Sequence, residues 1–377
     1  MKKIGVGTVT FDEEEIKEVA EVLKSGKISA GKKTSEFEEK VANLHGKKYG
    51  VFCNSGQSAL EVALLALKEM YGMELAIVPT ITYISTVFAV IRSGLSLRFC
   101  DVYPTTYNIN LDKFDLNFFD KYYKVIPIFV DMFGLYSGEL EGRPILRDAC
   151  ENLFGKVGSN DEVICFSFYV AHTITTGIGG MCITNNKKLA RIMRSYVNHG
   201  RRCVCSPCLA NSGKLCPNAK DKFIFERVGT SYRGSDILSA VGLAQLKKKD
   251  FIMKKRKENG AYLIKEMKRN KLDEYLQLPK KKNNSFMLFP LVIKDKKINR
   301  EKLVEYLAKN NIESRKMMPV TNQPIIKKLL GSDIEDKFPV AKYINKNGFY
   351  IGCHQGLSKE DLDYMVETFA KFFKEKI

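Results

Sequence analysis

The sequence predicts an α/β protein: a mainly parallel central sheet with flanking helices, followed by a smaller C-terminal α+β domain. Three observations lead there. Short apolar runs, Ala76–Pro79, Leu97–Asp101, Val125–Val130, Ile145–Asp148, Val163–Phe168 and Gly180–Thr184, alternate with helical or loop segments. That is the pattern of strands covered by crossover helices. Several runs end near a polar or aromatic residue, Thr82 and Tyr83, Asp148, or Ser167, and open α/β sheets bind ligands beyond the carboxyl ends of their strands. Finally, 377 residues exceed one compact core and fit two domains, placed at 1–250 and 251–377.

In chain order, the spacing of Ile16, Val19, Ala20 and Leu23 predicts a helix over 13–24 with that face inward. A turn over 25–31 precedes a helix burying Phe37, Val41 and Leu44. The run from Val51 to Leu60 reads as a strand broken by Asn54-Ser55-Gly56, then a long helix with Leu60, Leu64 and Leu67 inward. Strand, small-residue turn and helix together aim free backbone N–H groups at a phosphate. The same residues also read as an ordinary serine-capped turn. After the strand runs comes a helix over 187–198 with Leu189, Ile192, Met193, Tyr196 and Val197 inward. A loop rich in Ser, Pro, Gly, Asn and Cys follows over 200–220, and such a loop seldom holds itself together without a staple. Helix resumes at 235–249, a lysine-rich helix runs out of the large domain to about residue 270, and Leu362, Met365, Val366, Phe369 and Phe373 mark the last helix.

Composition narrows the function. No apolar run reaches the ~18 residues needed to span a membrane, and the start MKKIGVGTVT lacks the apolar core of a signal peptide. Both predict a cytoplasmic protein. Lys plus Arg number 61 against 43 Asp plus Glu, a formal charge of +18 that favours anionic partners such as nucleotides or acidic sugars. The runs Lys247–Lys249, Lys254–Lys257 and Lys280–Lys282 read as solvated faces, with no aromatic interleaving and no nucleic-acid module. Ten cysteines are many for a cytoplasmic chain. Cys53, Cys100, Cys165, Cys182 and Cys353 lie in apolar or small-residue runs and read as buried thiols. The cluster Cys203, Cys205, Cys208 and Cys216 points instead to metal or redox chemistry.

The segments SGKISAG, FEEKVANLHGKKYGVFCNSGQSAL, PTITYISTV, LRDAC, CFSFYVAHTITTGIGG, NHGRR and SYRGSDILSAVGLAQL, in that order, resemble the DegT/DnrJ/EryC1/StrS sugar aminotransferase family. The resemblance implies a B6 enzyme of fold type I that binds pyridoxal or pyridoxamine 5′-phosphate in its large domain and works as a homodimer. It assigns Gly56, Gln57 and Ser58, helped by Ser167, to the coenzyme phosphate. Tyr83 stacks on the pyridine ring. Asp148 pairs with the ring nitrogen and keeps it protonated, making the ring an electron sink. Glu151 stands where a glutamine often meets the ring hydroxyl, and Ser231 where an asparagine usually reaches the partner subunit's phosphate.

The main departure is catalytic. Transaminating members carry the Schiff-base lysine in the segment SF-x-x-x-K; here that place holds His172, and no lysine lies between Lys156 and Lys187. Imidazole forms no covalent link to the coenzyme, but it can take a proton from the C4′ carbon. That suits elimination of a hydroxyl. By resemblance, the run GRRCVCSPCLANSGKLC matches the subgroup of CDP-4-keto-6-deoxyglucose 3-dehydrases, which add a [2Fe–2S] iron–sulfur cluster. Five thiols compete for four positions: Cys150, Cys203, Cys205, Cys208 and Cys216, with Cys150, Cys203, Cys205 and Cys216 favoured. The four loop thiols could alternatively hold zinc or a different cluster. The reading is a deoxygenation at C3 of a nucleotide-linked 4-keto-6-deoxyhexose, with electrons from a separate reductase and no nucleic-acid or membrane partner. Its rivals are a metal-independent 3-dehydratase with structural zinc and a catalytically silent sugar-nucleotide-binding member.

Overall fold

The computed structural model describes residues 3–206, 223–295, 297–317 and 319–376. Seven strands form the large sheet: β1 (Tyr49–Cys53), β2 (Leu75–Pro79), β3 (Ser96–Cys100), β4 (Val125–Val130), β5 (Leu146–Asp148), β6 (Val163–Ser167) and β7 (Gly180–Thr184). Their spatial order is β1-β7-β6-β5-β4-β2-β3. From β3 to β6 neighbours run parallel, while β7 lies antiparallel to both β1 and β6. The strands from β4 to β7 are buried throughout, which is why they read as continuous apolar runs. The five cysteines read as buried thiols are all buried.

The small domain is a four-stranded antiparallel sheet, β8 (Leu276–Gln277), β9 (Leu288–Ile293), β10 (Ser314–Lys316) and β11 (Gly348–Gly352), in the order β10-β11-β9-β8. The helix Lys359–Lys376 packs Leu362, Met365, Val366, Phe369 and Phe373 into its core. Several segments cross between the domains; Val320, Ile326 and Ile334, between β10 and β11, pack in the large domain's core. The helix Lys249–Arg269 places Ile252 in the large domain's core and Leu263 and Met267 in the small one's. The N-terminal segment starts in the small domain, where Ile4 pairs with Ile312 and packs beside Leu263.

Two local expectations are corrected. The helix Glu13–Ser25 forms as predicted, but Ile16 and Leu23 are 62% and 57% exposed. The face turned inward is mixed: Val22 is buried with Val19 and Ala20 half-buried, and Glu15 accepts from Gln245 Nε2 at 2.7 Å and pairs with Lys248 where the helix meets Asp236–Lys247. Within the second basic run, Arg256 is buried rather than solvated, donating to the carbonyls of Phe286 and Met287 at 3.2 and 2.8 Å. Among the described residues, no helix is long and apolar enough to cross a membrane.

Candidate active site

A cavity of about 540 Å³ opens at the carboxyl ends of the large sheet's strands, against the small domain. One wall is the start of the helix Gly56–Tyr71. Ser55 caps it by accepting from Ser58 N–H at 3.1 Å, and the first turn carries no acid. Gly56 and Gln57 line the cavity, with N–H groups of the set a helix start leaves unpaired. A Cβ on Gly56 would stand 2.7 Å from Ser167 Cβ and 3.1 Å from Cys150 Sγ, so only glycine lets the turn close on β6. Ser167 lines the cavity from the end of β6. Ser58 lies behind this wall: its hydroxyl donates to Asn54 Oδ1 at 2.6 Å and shares a hydrogen bond with Ser55 Oγ. The cavity-lining hydroxyl is therefore Ser55, which the sequence reading took as turn and cap.

Asp148 ends β5 at the cavity floor. Thr86 Oγ1 donates to its Oδ2 at 2.7 Å and Cys150 N–H to its Oδ1 at 3.2 Å. Burial raises its carboxyl above the usual range, against these hydrogen bonds. Tyr83, 70% exposed, borders the cavity from the start of the helix Ile84–Arg92. Glu151 accepts from Phe133 N–H at 2.5 Å, and burial lifts its carboxyl to about 7. Phe133 is held at φ +61°, a left-handed conformation uncommon for a bulky residue, so the Glu151 contact pins a strained corner.

His172 lines the same cavity in the turn leaving β6, its own N–H donating to the Tyr169 carbonyl at 2.9 Å. Its Nδ1 is buried without a hydrogen-bond partner. Burial lowers the imidazole to about 4, against a hydrogen bond with the Ser167 backbone, so the ring is neutral at pH 7. No lysine lines the cavity among the described residues. A helix-start cradle, a carboxylate at the floor, an aromatic ring at the edge and an unpaired imidazole nitrogen fit a phosphorylated pyridine coenzyme.

The depressed imidazole carries a stability signature. The unfolded chain takes up the His172 proton near 6.5 and the folded one only near 4. The contribution is therefore present above pH 6.5 and lost as pH falls through that window. Glu151 works in the opposite sense, its contribution being lost as pH rises toward 7. In the coenzyme-free protein, the difference in unfolding free energy between wild type and His172→Asn is expected to shift by roughly 2–3 kcal/mol between pH 7 and pH 4. The carboxylates cancel in that difference, and urea titrations check it.

Several lining residues escaped the sequence reading. Val6 and Gly7 come from the N-terminal crossing, and Arg315 and Tyr350 from the small sheet. No periodicity marks them, though Tyr350 opens the segment Tyr350–Ser358, which resembles the iron–sulfur dehydrase subgroup. Ser231 is exposed beside Arg233, whose Nη2 lies 3.1 Å from its Oγ, and does not line this chain's cavity. Arg201 lies over the rings of Phe223 and Phe225.

The thiols divide. Cys203 and Cys205 stand with their sulfurs 3.7 Å apart, and Cys208 and Cys216 lie outside the described residues. Among the described residues no three His, Cys, Asp or Glu side chains gather to hold a metal ion, so Cys150 stands apart from Cys203 and Cys205 here, and Cys216, the fourth favoured ligand, lies outside the described residues. Cys150 lies under Gly56 because it sits on the turn leaving β5, two residues beyond Asp148. Burial and the neighbouring Asp148 push its thiol upward.

Comparison with known proteins identifies the family and the fold. The lipopolysaccharide biosynthesis protein RfbH of Salmonella typhimurium is 28% identical over 393 aligned positions, covering 95% of this chain and 89% of that protein. The GDP-4-keto-6-deoxy-D-mannose 3-dehydratase of Yersinia pseudotuberculosis is 27% identical, covering 92% and 93%. The solved structure of E. coli GDP-4-keto-6-deoxy-D-mannose-3-dehydratase with bound hydrated PLP has the same fold, with a TM-score of 0.82 at 23% identity over 98% of this chain and 100% of that one. A sequence profile matches residues 9–370, and the chain belongs to the DegT/DnrJ/EryC1/StrS aminotransferase family.

Proposed function

We propose that this protein removes the C3 hydroxyl of a nucleotide-linked 4-keto-6-deoxyhexose, using pyridoxamine or pyridoxal 5′-phosphate held without a covalent bond. One observation carries the proposal: the neutral imidazole of His172, its Nδ1 without a partner, faces the cavity where a transaminating relative would carry its lysine. When bound, the coenzyme supplies an electron-accepting ring that acidifies its C4′ carbon. His172 takes that proton at its neutral ring. Asp148 holds the ring nitrogen, Gly56, Gln57 and Ser167 seat the phosphate with Ser55, and Glu151 meets the ring hydroxyl. The 3-dehydratase named among the relatives supports this reading.

The thiol loop would supply electrons. Two sulfurs bound ~2.3 Å from one tetrahedral metal lie about 3.8 Å apart, close to the 3.7 Å between Cys203 and Cys205. With Cys150 and Cys216 they would hold a [2Fe–2S] cluster, and with Cys208 and Cys216 zinc or a different cluster. A separate reductase would feed it two electrons, which with two protons replace the lost hydroxyl by hydrogen and release water. The exposed apolar side chains of Phe11, Ile16, Leu23 and Ile28 support a homodimer, in which Ser231 would reach the second copy's phosphate site. Iron and sulfide analysis with a visible spectrum of anaerobically reconstituted protein tests the redox half. Stoichiometric iron and sulfide with visible absorption is expected; bound zinc or bare thiols would refute it. The placement of Cys150 favours a second reading, a metal-independent 3-dehydratase with structural zinc, which would turn over with glutamate and no reductase.

A further inference from the structure

We infer that Arg315 is the receptor for the substrate's diphosphate, an assignment that rests on the sugar-nucleotide reading above. Arg315 lies on β10 directly across from Tyr350 on β11, and both side chains line the cavity from the small domain. Among the described residues lining that cavity, it carries the one fixed positive charge. Its guanidinium is oriented: Nε and Nη2 both donate to Glu313 Oε1, at 3.1 and 3.0 Å, and Tyr350 adds a side-chain hydrogen bond. A guanidinium has five N–H donors, so donors remain for an external anion.

Two anions could claim it besides the coenzyme phosphate, which the helix start on the opposite wall accounts for. An amino donor carries its carboxylate on the carbon that reacts, which places it deep in the cavity beside His172. A nucleotide sugar carries its diphosphate on the far side of the hexose ring from C4, which places it outward. The Arg315 side chain is 55% exposed, at the outer edge of the cavity rather than its floor. Its planar fork also matches paired phosphate oxygens better than an ammonium does. The large domain would then hold the coenzyme while the small domain holds the substrate's anionic end.

Calorimetric titration of coenzyme-loaded protein with GDP, CDP, UDP and dTDP, each beside its monophosphate, tests the assignment. One diphosphate is expected to bind more tightly than its monophosphate. Arg315→Gln lowers that affinity about 10–100-fold, and Arg315→Lys lowers it less. Lys316→Gln, at a neighbour paired with Glu301 at 3.2 Å, leaves it unchanged. Coenzyme absorbance, read in every variant, stays at the wild-type level. Wild-type diphosphate affinity in Arg315→Gln overturns the assignment and leaves the sugar-nucleotide reading standing. Loss of glutamate affinity with diphosphate binding intact overturns it in favour of an amino-donor carboxylate. Failure of all four diphosphates to bind the wild type overturns the reading and the assignment together.

Discussion

Replacing His172 by Asn is expected to slow exchange of the coenzyme's C4′ proton by about 10²-fold or more, with coenzyme and sugar nucleotide binding as before. The expectation follows from the site's chemistry. Among the described residues lining the cavity, the imidazole is the one group that is both neutral at pH 7 and left with a buried nitrogen unpaired. Asn keeps the volume and hydrogen-bonding capacity of the position but has no basic nitrogen. Exchange in deuterated buffer, followed by loss of the C4′ proton signal, reads the step directly. A variant that exchanges at the wild-type rate would assign the base elsewhere. A wild type that binds ligands but never exchanges would identify a catalytically silent member of the family.

The largest stability effect is expected at Arg147. This side chain is completely buried between β4, β5 and β6. It donates to Asp131 Oδ1 at 2.8 Å, Ser137 Oγ at 2.7 Å, the Gly138 carbonyl at 2.7 Å and Asp161 Oδ1 at 3.1 Å, and its Nε donates to Asp161 Oδ2. Those five contacts match the five N–H donors of the guanidinium. Removing the cation leaves two buried carboxylates without their counter-charge, a loss of about 3–5 kcal/mol. Arg147→Met should therefore unfold at markedly lower urea. Adding Asp131→Asn and Asp161→Asn should recover much of the loss, because the unpaired charges then disappear. No recovery would mean that shape, not charge, holds this layer together. The site should feel the change too: Asp131 lines the cavity and its charge acts on Asp148, so coenzyme affinity falls in the single variant.

Much of the site was legible because it follows strand ends. Asp148 and Ser167 end β5 and β6, Gly56 and Gln57 follow β1, Tyr83 follows β2, and His172 sits in the turn after β6. A parallel sheet brings these ends to one edge whatever the intervening sequence. What stayed hidden has other causes. Arg315 and Tyr350 lie on short strands whose pairing depends on contacts distant in sequence. Ser55 and Ser58 are chemically alike, and only the cap geometry shows which one borders the cavity. The helix Glu13–Ser25 misled because its apolar residues spread around the helix: Val22 turns inward beside Glu15, which pairs with Lys248, while Ile16 and Leu23 face out.

The N-terminal segment ties the two halves together at the cavity. Ile4 is stitched to Ile312 in the small domain, and the chain then passes Val6 and Gly7 at the cavity edge before entering the large one. The helix Lys249–Arg269 makes the return passage. A shared apolar cluster, in which Val6 and Met287 pack with Tyr107, Phe133 and Leu135, joins the halves as well, and Val320 and Ile326 sit in the large core. The wall that encloses the ligand is therefore part of the seam between the halves, and a substitution at Val6 touches both.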